Sequence, residues 1–304
     1  MLVLVVGVTG DLGQRLANAA IARGVQVRGL GRNPSKLPSN LLQKLESFVQ
    51  SENYYDIRAI EEGLTGVDAV ICAYSTDPTL YLDGSLLLLR AAERKGVNIF
   101  VAPTWNSNWT NISYGDFPIY NSLMAFADHA AMTSTVRPVY FINGAFAEYT
   151  LVPDQGPLRK NGESLEYHYW GNVHEQKTPW TAMDDAAAWT IEVLLTDEGV
   201  RSGKGGYFKF YSGMNSAVEL VNTYESVSGT EVKFVCDGTA EDLEKVLEKA
   251  KEEEGSVDFF ESLHLAWSKI ALRGLWQIHD PIVLDHAKKP ITFEEHLKKR
   301  LGKE

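Results

Sequence analysis

The chain has 304 residues, 44% of them hydrophobic and 23% charged, and a formal net charge of -11. That balance excludes wholesale disorder, and the length fits one large domain or a nucleotide domain with a smaller partner. The acidic charge argues against a surface that grips nucleic acid through its phosphates, yet leaves room for an anionic cofactor held by backbone amides.

The opening M-L-V-L-V-V-G lacks a basic n-region, is short, and runs straight into a glycine turn, so it reads as a strand and not as a signal peptide. No later run approaches the ~20 apolar residues of a membrane span, and a cytoplasmic location is expected. Cys72 and Cys236 are the only cysteines. Buried thiols are expected of them, not a disulfide framework or a metal site. No H-x-x-x-H, C-x-x-C or carboxylate cluster suggests a metal elsewhere.

The first half alternates short apolar, β-rich runs with helical patterns. Residues 2–7, 26–30, 69–73, 99–102 and 139–143 read as buried strands. Residues 13–23, 82–95 and 119–131 read as the helices between them, with a shorter one at 57–64. Such alternation predicts an α/β fold: a Rossmann-type, doubly wound parallel sheet with ligands at the carboxyl ends of its strands. After about residue 150 the composition shifts. Residues 151–162 are rich in Pro, Gly and polar side chains, and short strands such as 207–211 mix with helices. The expected division is a nucleotide-binding domain over 1–150 and a smaller C-terminal α+β domain over 151–304. The latter covers the substrate and sends segments back to the main sheet. The charge-rich run at 241–254 predicts an amphipathic helix with a solvated face.

Chemistry first shows at Gly7-Val8-Thr9-Gly10-Asp11-Leu12-Gly13, which follows the first strand and opens a helix. Gly7 permits the tight turn, Gly10 close approach of a pyrophosphate, and Gly13 packing of helix on strand. A purely structural βα turn is the alternative. The second strand then ends R-G-L-G-R-N-P-S-K, with Arg32, Asn33 and Lys36 where an NAD site places a carboxylate for the ribose hydroxyl. Two cations favour a 2′-phosphate, hence NADP(H) over NAD(H); exposed loop residues are the competing reading.

The ensemble resembles the NmrA-like, isoflavone reductase-like branch of atypical short-chain dehydrogenases. The similarity runs through G-V-T-G-D-L-G, G-R-N-P-S-K-L, Y-D-I-R-A-I-E-E-G-L-T-G-V-D-A-V-I, N-G-A-F-A-E-Y at 143–149, T-A-M-D-D-A-A-A-W at 181–189 and I-T-F-E-E-H-L near the end. The resemblance implies an NADP-binding Rossmann domain with substrate between it and a smaller domain. By position, Gly7, Thr9, Gly10, Leu12 and Gly13 would wrap the pyrophosphate, with Asp11 in the same turn. Arg32 and Lys36 would hold the 2′-phosphate, Tyr74 and Ser75 would line the cofactor's path, and Asn143 to Phe146 would border the nicotinamide.

One position departs from the pattern. The reductases' active-site lysine falls on Met124, one helical turn after Tyr120 in P-I-Y-N-S-L-M. A phenol without a neighbouring cation should titrate near its reference value of about 10 and shuttle protons poorly at neutral pH. Packing of both side chains in the core is equally open. Hydride addition to a ketone creates an alkoxide that must be stabilised; addition to an iminium neutralises charge and needs no acid in that step. Acid–base candidates are Asp128, Asn121, Tyr114, Glu148 and His168, each weak alone. Trp105 and Trp109 can stack on an aromatic or cationic ligand, or anchor the second domain. Phe146, Tyr149, and His168 with Trp170 in Y-H-Y-W, are further candidates for a broad aromatic wall.

The expected activity is NADP(H)-dependent hydride transfer to an imine or iminium in a bulky aromatic or heterocyclic molecule, of the kind met in secondary metabolism. Two alternatives stand beside it. One is a redox-neutral cyclase of C=N chemistry in which the cofactor shapes the pocket; the other is a non-catalytic NADP sensor that binds a protein partner.

Overall fold

The computed structural model describes residues 1–162, 164–252 and 259–303. The first half runs β1 (Leu2–Val6), α1 (Asp11–Ala22), β2 (Gln26–Gly31), α2 (Ser39–Leu42), β3 (Ser47–Gln50), α3 (Ile57–Gly63), β4 (Ala69–Cys72), α4 (Ser85–Arg94), β5 (Ile99–Val101), α5 (Pro118–Thr133) and β6 (Val139–Ile142). There follow β7 (Ala145–Phe146), β8 (Leu158–Asn161), β9 (Ser164–Trp170), β10 (Thr178–Thr181), α6 (Met183–Thr196), α7 (Glu198–Arg201), β11 (Gly206–Lys209), β12 (Gly213–Asn215), α8 (Ala217–Ser228), β13 (Val232–Gly238), α9 (Ala240–Glu252), α10 (Phe259–Leu272) and α11 (Phe293–Leu301).

The main sheet has seven strands in the order β11-β6-β5-β4-β1-β2-β3, and every neighbouring pair is parallel. Helices cover both faces, which is why β1, β4 and β6 are continuous apolar runs and do not alternate. Successive side chains of β1 divide between the two layers: Leu4 and Val6 join one core, Val3 and Val5 the other. The order reverses between β1 and β4, so a crevice opens at their carboxyl ends.

Two smaller three-stranded sheets, β12-β10-β7 and β13-β9-β8, lie outside the main one. The carboxylate of Asp185 is fully buried at the start of α6. It accepts from Ser212 Oγ at 2.6 Å and the Ile291 N–H at 3.0 Å and pairs with the Lys288 ammonium. That cluster bolts the C-terminal segment onto α6, and removing one partner would strand a buried charge. The T-A-M-D-D stretch therefore has a structural task.

Several expectations need correction. The edge strand β3 was not read from S-F-V-Q, in which only Val49 is buried. Helix α1 begins at Asp11, two residues earlier than expected. Cys72 is buried, with its thiol pushed up to about 12 by desolvation, whereas Cys236 is exposed and not a buried thiol. The predicted helix at 241–254 is α9 as far as Glu252; its last two residues lie outside the described residues. Among the described residues, no helix is long and apolar enough to cross a membrane.

Candidate active site

Gly7 adopts φ +78°, and a Cβ there would stand 2.6 Å from Ala73 O. A Cβ on Gly13 would overlap Gly7 O and stand 2.9 Å from Val8 Cα, so α1 packs directly on the turn. Gly10 differs: its Cβ would meet only Gly7 O, at 3.3 Å. Gly10 caps α1 with no side-chain hydrogen bond, and among the described residues the amides of Asp11, Leu12 and Gly13 have no protein acceptor. Three unfilled donors at a helix N-terminus form an anion cradle. Asp11 turns its carboxylate aside onto Arg15 at 3.1 Å. Thr9 packs against the end of β2, with its side chain 3.2 Å from where a Gly31 Cβ would stand.

Arg32 and Lys36 are exposed, and their charged side chains have no hydrogen-bond or ion-pair partner among the described residues. Asn33 is committed differently: its Oδ1 accepts from Ser35 N at 2.9 Å and Ser35 Oγ at 2.7 Å, capping the turn Pro34–Lys36. The cations are thus free and the amide is a local cap.

Beyond the phosphate turn lies a cleft of about 380 Å³. Gly10 to Gly13, Tyr74 and Ser75 form its near end. Trp105, Phe146, Tyr149 and Trp267 give it aromatic walls. Trp105 is locked by Nε1–H donation to Thr190 Oγ1 at 2.8 Å and by stacking on Phe141 at 5.8 Å. Trp267 stacks on Trp276 at 6.3 Å, and Trp276 meets Tyr120 edge-on at 6.1 Å. Glu148, behind Tyr149, accepts from the Met183 N–H; burial raises its pKa.

Deep in the cleft runs a chain of neutral polar groups. Tyr81 donates to Thr76 Oγ1 at 3.0 Å, Asn106 Nδ2 donates to Tyr81 Oη at 2.9 Å, and Tyr120 donates to Asn106 Oδ1 at 3.3 Å. Burial pushes both phenols above their ordinary value. For Tyr120 the neighbouring Tyr81 adds to the shift, and hydrogen bonds from Ser107 oppose it. For Tyr81 the bonds to Thr76 and Asn106 oppose it. No Lys, Arg or His is among the described lining residues.

Sequence reasoning brought Gly10, Asp11, Leu12, Gly13, Tyr74, Ser75, Trp105, Tyr120, Phe146 and Tyr149 to one place, and the structure gathers them around this cleft. Several other candidates lie away from the cleft. Met124 is half-buried against the apolar layer of β1 and does not line the cleft. Asp128 is exposed and accepts from Tyr114 Oη at 2.7 Å; desolvation and that carboxylate push the Tyr114 phenol up to about 12. Asn121 Oδ1 accepts from the Gly115 N–H at 2.9 Å and so braces a loop. Trp109 packs against the stacked pair Tyr140 and Tyr207 at the sheet edge. His168 and Trp170 belong to β9, where His168 Nδ1 meets Asp237 at 2.8 Å and Trp170 packs with Leu243 and Leu265. Asn143 is fully buried just after β6 and does not line the cleft, with neither end of its amide partnered among the described residues.

Tyr81, Thr76, Asn106, Ser107 and Trp267 were missed as site residues. Asn106 and Ser107 lie in the loop that the tryptophans had marked; Tyr81 and Trp267 gave no signal of their own.

A crevice at the strand reversal, floored by a turn with unfilled amides, is where a Rossmann-type protein takes a dinucleotide, and the fold is of that class. The chain belongs to the NmrA-like family, whose model matches residues 1–266. It is 25% identical over 242 residues to a bifunctional pinoresinol-lariciresinol reductase of Linum usitatissimum, covering 76% of each chain. A leucoanthocyanidin reductase of Vitis vinifera, solved with NADPH, superposes with a TM-score of 0.73 at 16% identity, over 99% of this chain and 100% of that one. AtPrR2, solved with NADP+ and (+)pinoresinol, superposes with a TM-score of 0.71 at 20% identity, over 98% of this chain and 97% of that one.

Proposed function

We propose that the protein is an NADP(H)-dependent reductase of a bulky aromatic or heterocyclic small molecule, and that it delivers hydride to a positively charged C=N carbon. Residues 1–150 hold the cofactor and 151–304 cover the substrate. The anion cradle at Gly10 to Gly13 suits the pyrophosphate, and the unpaired Arg32 and Lys36 suit the 2′-phosphate. Gly144 to Phe146, on the cleft wall, border the nicotinamide. The cofactor's part is to supply the hydride.

The observation that carries the reading is the cleft's lining: aromatic faces and two phenols raised by burial, with no basic side chain among the described lining residues. An alkoxide formed from a ketone would find no cation here, and its proton would have to come from a weak acid. An iminium is neutralised by hydride and needs neither. The same lining lacks the fixed positive charge that would repel it. The test is NADPH carrying deuterium at the transferable C4 position. Label in the product is expected. Product formed without label, or equally well with NADP+, would mean redox-neutral chemistry and overturn the reading.

A further inference from the structure

Tyr81 and Tyr120 come from different elements, yet one amide joins them. Asn106 itself is fixed, because its backbone carbonyl accepts from the N–H groups of Asn143 at 3.1 Å and Gly144 at 3.2 Å. Its side chain gives Nδ2–H to Tyr81 and takes the Tyr120 proton on Oδ1. Tyr81, already an acceptor from Asn106, sends its own proton to the exposed Thr76. A hydroxyl has one proton and two lone pairs. Both protons are thus turned onto the protein; Tyr120 also takes the hydrogen bonds of Ser107, so the acceptor capacity left toward the cleft is that of Tyr81, and neither phenol offers it a donor.

We infer that Asn106 is a positioning residue: it keeps the Tyr81 and Tyr120 protons turned away from the cleft, so that the pocket selects a cation over a neutral molecule of the same shape. This rests on the cationic-substrate reading above. The aromatic walls act in the same sense, because ring faces attract a desolvated cation. Freed from Asn106, the Tyr120 proton would turn to a ligand, favouring a neutral acceptor and disfavouring a cation. Loss of the Thr76 hydroxyl would free the Tyr81 proton likewise.

Binding without turnover tests this. The full chain, without cofactor, is titrated with N-methylquinolinium and with neutral 4-methylquinoline, following quenching of the tryptophans at the cleft. The unmutated protein should prefer the cation about tenfold, a scale set by a desolvated cation–π contact. Asn106→Leu should bring the ratio below about threefold by weakening the cation and not the neutral ligand. Thr76→Val, on an exposed side chain, should lower the ratio in the same direction and decides the matter if Asn106→Leu does not fold. A merely structural role would weaken both ligands together. A ratio unchanged in the folded variants overturns the role of Asn106 and leaves the cationic-substrate reading standing. No preference in the unmutated protein overturns that reading and this inference with it.

Discussion

Replacing Gly10 by valine separates binding from folding, because the three turn glycines differ in what surrounds them. A side chain on Gly7 or Gly13 would run into backbone. Gly10 has φ -80° and ψ 165°, an extended conformation open to any residue, and its Cβ would touch only Gly7 O at 3.3 Å. The folding cost should be the loss of a tolerated cap, about 1 kcal/mol, or a fall in Tm of about 2–4 °C for a chain of this size. Binding should suffer far more. Valine methyls would stand in the approach to the Asp11, Leu12 and Gly13 amides, and hydrogen bonds to a charged group contribute about 1.5–3 kcal/mol each. Losing the equivalent of two weakens NADPH by about 3 kcal/mol or more, at least a hundredfold. Calorimetric titration of NADPH, with thermal unfolding as the control, reads both quantities. A folded Gly10→Val protein that binds NADPH within threefold of the unmutated one would refute the placement of the pyrophosphate.

Two further outcomes follow from charge. NADPH should bind at least tenfold tighter than NADH, and Arg32→Ala should remove about 1–3 kcal/mol of that preference; titration of both cofactors checks it, and equal affinities in the unmutated protein would sink the assignment. His264 is buried and its Nε2 lacks a partner among the described residues; burial first, then Arg159, lowers its pKa from 6.5 to about 4. The unfolded chain therefore binds the proton more readily. Stability is full above pH 6.5 and falls as pH drops toward 4, by about 2 kcal/mol between pH 7 and 5. Denaturant titrations at those two pH values should show a loss about 2 kcal/mol smaller in His264→Leu than in the unmutated protein; His296, lowered to about 4 by burial as well, contributes equally to both.

What the sequence made legible was local or continuous. β1, β4 and β6 are runs apolar on both faces, a pattern that parallel strands require and few other elements share. The phosphate turn was legible because each glycine answers a requirement met within a few residues of chain or at one strand crossing. The edge strand β3 was not, since an edge position buries little and leaves no apolar run.

The cleft beyond the turn obeys no such rule. Trp105 and Trp109 stand four residues apart in one loop, and no periodicity says which turns inward. Trp105 is directed by Thr190 on α6 and Trp109 by Tyr140 and Tyr207 on neighbouring strands, all distant in sequence. The tyrosine–methionine spacing misled for a related reason. It located a helical turn correctly, but the partners of Tyr120 are Asn106 and Ser107, in the loop after β5 and not along the helix. A motif defined by spacing on one helix reports chemistry only while both side chains face the ligand, and here position 124 has joined the apolar layer. The Tyr120 phenol is instead tied, through Asn106, to Tyr81 and Thr76.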